Sequence, residues 1–180
     1  MPSGLTRFHQ SEQSHFITFT CYHRLPNLKD EKLRDVLVTA FEQTRLQYQF
    51  RVYGFVIMPE HVHLLISEPE RGTVANVIQS LKISSAMRST GLRDGDEQHR
   101  PLWQTRYYDR NVRDYDEFVE KLQYIHRNPV KRGLAKQPRE WRWSSFRHYL
   151  TGEDSGVEIE SQWTAEKRDA GAALQSHIKG

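Results

Sequence analysis

Residues 52–66 read VYGFVIMPEHVHLLI, two apolar runs separated by Met58-Pro59-Glu60. The β-branched and aromatic content of Val52 to Met58 suits a pleated, buried surface, and His63 to Ile66 lies in a second strand immediately after the break. A connection this short leaves room only for a hairpin or near-hairpin, so the pair is antiparallel. Working outward, His15 to Tyr22 (HFITFTCY) alternates Phe16, Thr18, Thr20 and Tyr22 with Ile17, Phe19 and Cys21 and is the first strand, ended by Pro26 and Asn27. Asp30 can cap a helix whose apolar stripe is Leu33, Leu37, Ala40, Phe41, Thr44 and Tyr48, reaching about Phe50. Downstream, Thr73 opens a second helix with Val74, Val77, Ile78, Leu81 and Ala86 on one side, through Arg88.

The polar stretch Gly91 to Gln98 reads as a surface loop, Pro101 to Val112 as a fourth strand, and Asp114 to Arg127 as a third helix stopped at Pro129, because proline disfavours a helical residue before it. Strand, helix, strand, strand, helix, strand, helix is the order of a split βαβ sandwich, an α+β fold with an antiparallel sheet and helices on one face. The other face is then left for a ligand. Trp141, Trp143, Phe146 and Tyr149 form an aromatic clasp closing the body near residue 150. Residues 151–180 turn polar and are expected to be a flexible tail, with Trp163 as a candidate anchor.

The chain of 180 residues carries 26 Lys and Arg against 23 Asp and Glu, a small surplus that hides an uneven distribution. Residues 1–150 hold 23 bases and 17 acids, and the last thirty hold three bases and six acids. A basic body with an acidic tail points to a polyanionic partner. The single Cys21 excludes an intrachain disulfide framework and a cysteine-rich metal knuckle, and fits a reducing compartment. No apolar run approaches the roughly 18 residues of a membrane span, and Met1-Pro2-Ser3-Gly4 opens into polar sequence without a signal-peptide core. A cytoplasmic protein with no membrane partner is expected.

His61-Val62-His63 is the sharpest local signal. Strand side chains alternate faces, so the two imidazoles point one way and Val62, Leu64 and Ile66 the other. They can share one metal ion, Zn²⁺, Mn²⁺ and Fe²⁺ among the candidates, with an amide, carboxylate or further histidine as third ligand. Two histidines on a solvated sheet face is the alternative this pattern leaves open. On the third helix Tyr115, Phe118, Val119, Leu122 and Ile125 form the core stripe, while Tyr124 falls opposite, beside Glu117, Lys121 and Asn128. Tyr124 and Asn128 are four apart and able to address the same site, with an amphipathic surface tyrosine and a helix-ending residue before proline as the alternatives this pattern leaves open. A phenol is a poor nucleophile at neutral pH, so a catalytic tyrosine needs an electrophile polarised by a metal or a base to take its proton.

Arg100 to Arg113 contains four arginines, Trp103, Tyr107 and Tyr108 against one acid, and Arg127 to Arg142 contains six bases against Glu140. Cations neutralise phosphates and aromatics stack on unpaired bases, a combination suited to single strands. In the strand, Tyr107 and Tyr108 face opposite ways, so at least one is structural. His126 and Trp141 are read as structural.

MPEHVHLLI, LWQTRYYDRNVR, KLQYIHRNPVKRGL and WRWSSFRHY, in this order and spacing, resemble the REP-associated tyrosine transposases, in the single-tyrosine branch of the HUH nucleases. The resemblance runs from about Phe16 to Tyr149. It implies a ferredoxin-like nuclease domain over residues 14–150 that cuts single-stranded DNA beside hairpins formed by repetitive extragenic palindromes, as a monomer or a homodimer. It implies Tyr124 as nucleophile and His61, His63 and Asn128 as ligands of Mg²⁺ or Mn²⁺, while the interleaved basic and aromatic stretches offer Arg106, Tyr108, Arg110, Arg113, Lys131 and Arg132 as DNA contacts. Glu60 stands where relatives commonly carry Asn or Asp. Two other functions fit the same residues: a hairpin-binding protein without turnover, and a metal hydrolase in which Tyr124 is incidental.

Overall fold

The computed structural model describes residues 14–178, so the polar opening at Met1 to Gly4 lies outside the described residues. Four strands, β1 (Ser14–Cys21), β2 (Val52–Ile57), β3 (His61–Ser67) and β4 (Trp103–Val112), form one antiparallel sheet in the order β2-β3-β1-β4. The expected hairpin is present, with Ile57 paired to Val62 across the Met58-Pro59-Glu60 turn and Met58 N–H donating to His61 O at 2.8 Å. Helices α1 (Glu31–Tyr48) and α2 (Val74–Arg88) begin at the expected caps: Asp30 accepts from Lys32 N–H, and Thr73 forms a capping box with Asn76. They cover the face that carries Ile17, Phe19, Val62, Leu64 and Phe55, where Phe41 meets Phe55 edge to face at 5.8 Å.

Helix α3 (Tyr115–Lys131) lies on the opposite face, over β2 and β3. The α+β class with an antiparallel sheet stands, but the expectation that the helices share one face does not hold, and Gly54 makes the room: a Cβ there would fall 2.5 Å from Leu122 Cδ1. Covered on both sides, β2 is buried along its whole length. Over β1 and β4, α3 reaches with side chains only, Tyr124 and Lys121 to Phe16 and Glu117 to Arg110, and Tyr108 on this face stays exposed.

Two further expectations are corrected. The third helix does not stop before Pro129 but runs to Lys131, closed by Arg132 N–H to Asn128 O at 3.0 Å and Leu134 N–H to Pro129 O at 2.9 Å. Pro129 and Asn128 are both buried, and that packing outweighs the steric bias of proline on its predecessor. The packed body also does not end at residue 150. After a short helix α4 (Phe146–Thr151), Val157, Ile159, Glu160 and Ser161 are buried, Glu160 N–H donates to Val52 O at 2.7 Å, and helix α5 (Gln162–Ile178) follows. This segment covers the outer edge of β2, where unpaired backbone groups would otherwise face water. Trp163 packs against Gly152, as its role as anchor requires. The clasp is present: Trp141 Nε1 donates to Ile57 O at 3.0 Å and Tyr149 Oη to Tyr53 O at 2.6 Å.

Candidate active site

The strand register sets the site. His61 and His63 project from β3 toward the α3 face, opposite Thr20 and Thr18 of β1, with their ring centroids 4.5 Å apart. Phe16, two residues before Thr18 on the same face, stacks on His63 at 5.4 Å. From above, α3 lowers Tyr124 edge-on against both rings, 5.2 Å from His63 and 6.0 Å from Phe16. Tyr124 nevertheless remains 41% exposed. One turn later Asn128 is only 5% exposed, and Lys121, one turn earlier, holds its ammonium 5.2 Å from the Phe16 ring centre. The sequence reading of Tyr124 as an off-core residue agrees with this arrangement, whereas Asn128 is buried more deeply than its polar helical face suggests.

His63 Nδ1 lies 2.7 Å from Thr18 Oγ1, while its Nε2 is buried with no hydrogen-bond partner. Asn128 Oδ1 is buried and unpartnered in the same way. A buried polar atom left unsatisfied costs about 1–3 kcal/mol, and these two belong to elements that pack together, β3 and α3. Burial, and secondarily His61, pushes the His63 imidazole down to about 3. His61 is also lowered, chiefly by burial, with Glu60 opposing. Both rings are therefore neutral at neutral pH, the state in which imidazole is a metal ligand. Among the described residues no group of three or more His, Cys, Asp or Glu side chains is placed to hold a metal ion. A ligand set here depends on the amide of Asn128, and two neutral imidazoles with an amide oxygen fit a divalent cation.

Glu60 ties this corner together. Its Oε1 is 3.1 Å from His61 Nδ1 and 2.5 Å from Arg132 Nη2, which draws the end of α3 to the β2–β3 turn. On β4, Tyr108 stands opposite Thr18 and is 53% exposed, and Arg110 stands opposite Phe16, so both share the histidine face. Arg110 pairs with Glu117, which also accepts Arg113 N–H at 2.8 Å; that backbone bond, then Arg110, holds the Glu117 carboxyl below its usual range. Arg106, Arg113 and Lys131 are exposed. Tyr107 faces the other way, partly buried against the core beside Lys82, as the alternation requires. Sequence reasoning did not single out the roles of Thr18 and Phe16. No local pattern marks them; only the β1–β3 register does.

The family model described as "Transposase IS200 like" matches residues 9–128. The chain belongs to the IS200-like transposase family. Membership makes it a DNA-processing enzyme. A Haemophilus influenzae protein assigned as a REP-associated tyrosine transposase is 30% identical over 122 residues, covering 64% of this transposase and 69% of that protein. The REP-associated tyrosine transposase of Escherichia coli is 28% identical over 98 residues, 54% of each chain. A REP-associated tyrosine transposase solved bound to a REP hairpin superposes with a TM-score of 0.65 at 22% identity, covering 83% of this chain and 87% of its own. The fold is thus shared with that structure. Among the described residues no helix is long and apolar enough to cross a membrane.

Proposed function

We propose that this transposase is a metal-dependent single-stranded DNA endonuclease and strand transferase that acts beside hairpins of repetitive extragenic palindromes through a covalent phosphotyrosine. The observation that carries the reading is the conjunction of the exposed Tyr124 ring with the unpartnered buried atoms His63 Nε2 and Asn128 Oδ1. His61, His63 and Asn128 would hold the ion, Mg²⁺ or Mn²⁺ as the family resemblance implies. Bound there, a divalent ion supplies Lewis-acid polarisation of a phosphodiester.

Tyr124 Oη supplies the nucleophile. Its oxygen bonds to phosphorus as the P–O3′ bond breaks, its proton is released, and the departing 3′-oxygen takes up a proton, leaving a 5′-phosphotyrosine and a free 3′-hydroxyl. One phosphodiester is exchanged for another, so a second 3′-hydroxyl can reverse the step without ATP. The ring edge held by His63 and Phe16 orients the phenol while its exposure leaves access for DNA. Arg106, Tyr108, Arg110, Arg113, Lys131 and Arg132 are the proposed DNA contacts, phosphates on the cations and an unpaired base on the Tyr108 ring.

Labelled single-stranded hairpin DNA incubated with the protein and Mn²⁺, run on a denaturing gel, tests this. A covalent adduct lost in Tyr124→Phe is the expected result. Cuts without an adduct would instead identify a hydrolase, and a native-gel shift with neither would identify a hairpin-binding protein.

A further inference from the structure

We infer that Thr18 is a positioning residue for the metal site: its hydroxyl holds His63 Nδ1 as the N–H donor and so presents Nε2, the buried unpartnered nitrogen, as the lone pair that binds the ion. The inference rests on the metal-dependent reading given above and adds to it a residue outside the ligand set.

The packing around His63 holds the ring plane but does not choose its orientation. Phe16 stacks on one side at 5.4 Å, and Tyr124 and His61 meet it edge-wise. A half-turn of the imidazole about its Cβ–Cγ bond exchanges Nδ1 with Cδ2 and Nε2 with Cε1, which leaves the ring outline almost unchanged for these ring-to-ring contacts. The 2.7 Å contact with Thr18 Oγ1 is directional and distinguishes the two orientations. A hydroxyl can donate or accept, so the contact serves either tautomer; it is the ion's need for the Nε2 lone pair that puts the proton on Nδ1, and Thr18 Oγ1 then accepts from it. Thr18 lies directly across the β1–β3 ladder from His63, so backbone pairing and not a mobile side chain sets the distance. The corresponding hold on His61 is divided, because the Glu60 oxygen near its Nδ1 is shared with Arg132. Partners of this kind, behind a metal-bound histidine, typically matter about 10- to 100-fold in metal affinity.

The test uses the full chain as wild type, Thr18→Val and Thr18→Ser. Valine keeps the branched shape on the strand and removes only the hydroxyl; serine restores it. Mn²⁺ binding without DNA is followed by the electron spin resonance signal of the free ion, and the His63 tautomer is read in metal-free protein by long-range ¹H–¹⁵N spectra. The expected results are the Nδ1–H tautomer in wild type and Thr18→Ser, mixed populations in Thr18→Val, and Mn²⁺ affinity about 10-fold or more weaker in Thr18→Val alone. Hairpin affinity in the absence of metal stays unchanged across the three. Wild-type binding retained in full by Thr18→Val overturns the role of Thr18 and leaves the metal site standing, as does a wild-type His63 protonated on Nε2. Wild-type protein that holds no Mn²⁺, or His61→Ala/His63→Ala protein that holds it as well as wild type, overturns the metal-dependent reading itself and this inference with it. Should Thr18→Val fail to fold, the wild-type tautomer still decides, and Thr18→Ala takes the place of valine as the variant without the hydroxyl.

Discussion

The Tyr124 ring stands edge-on to the His63 imidazole, centroids 5.2 Å apart, and the two side chains differ sharply in exposure, 41% against 5%. An exposed phenol is thereby fixed beside a nitrogen that water does not reach. That division separates what each residue contributes. The ring of Tyr124 belongs to the packing, through Phe16 and His63, and its oxygen is the proposed nucleophile.

Tyr124→Phe keeps the ring and removes the oxygen. Its melting temperature should stay within a few degrees of wild type, and hairpin affinity should hold, while the covalent adduct disappears. Mass spectrometry of the wild-type adduct should place DNA on the peptide containing Tyr124. Tyr107 and Tyr115 pack against the core and Tyr108 is better placed for stacking, so a DNA-linked peptide containing any of these would show that the nucleophile is misassigned.

Replacing both His61 and His63 by Ala should abolish metal-dependent cleavage and leave most hairpin affinity in place, because the proposed phosphate contacts lie on other residues. Cleavage rates and gel shifts on the same preparation separate the two. Undiminished cleavage would remove the histidines from the site.

The hairpin of residues 52–66 and the caps at Asp30 and Thr73 were legible because each is a local pattern with a local cause. The exposed position of Tyr124 off the core stripe was legible because an amphipathic helix reports which side is wet. Pro129 misled because a residue-pair preference is weak against burial, and the buried Val157 and Ile159 were hidden in a segment whose composition is otherwise polar. Thr18 against His63, or His15 between Asp109 and Glu68, are contacts between residues 45 to 94 positions apart, which exist only once the register is set.

Gly54→Ala tests how α3 is seated. The new Cβ would fall 2.5 Å from Leu122 Cδ1 and 3.3 Å from Ser145 Oγ, so the helix must shift or the side chains must leave their rotamers. Overpacking of this kind costs about 1–3 kcal/mol. Chemical denaturation should show that loss, and because α3 also carries Tyr124, adduct formation should fall as well. A fully stable Gly54→Ala would show that α3 rests there less tightly than the contact implies.

His15 gives a pH dependence with a defined sign. Its burial disfavours the charged form, but hydrogen bonds to Asp109 at 2.8 Å and Glu68 at 2.5 Å outweigh this and raise its pKa above 6.5. A raised histidine contributes stability that is complete below its unfolded pKa of about 6.5 and is lost as pH rises through the higher folded value. His61, His63, His126 and His148 are lowered chiefly by burial and act in the opposite sense as the pH falls. The difference in unfolding free energy between wild type and His15→Gln isolates the first effect. It should be largest in mildly acidic solution and shrink toward alkaline pH; a difference that grows with pH would contradict the assignment.

The last prediction separates the two kinds of proposed DNA contact. Arg106 and Tyr108 are neighbours but one on strand β4, both exposed, and they offer a phosphate a charge and a base a flat ring, respectively. Arg106→Ala should weaken binding to every DNA tested by a similar factor and lower the steepness of the salt dependence by about one phosphate contact. Tyr108→Ala should leave the salt slope alone and cost about 1–3 kcal/mol only on DNA with an unpaired segment beside the hairpin, because a paired base cannot leave its stack to meet the ring. Affinities measured across a salt series on a hairpin with a single-stranded flank, the bare hairpin and a plain duplex distinguish these effects. Equal losses for Tyr108→Ala on all three would remove stacking from its role, and wild-type protein that prefers none of the three would remove the single-stranded flank from the substrate.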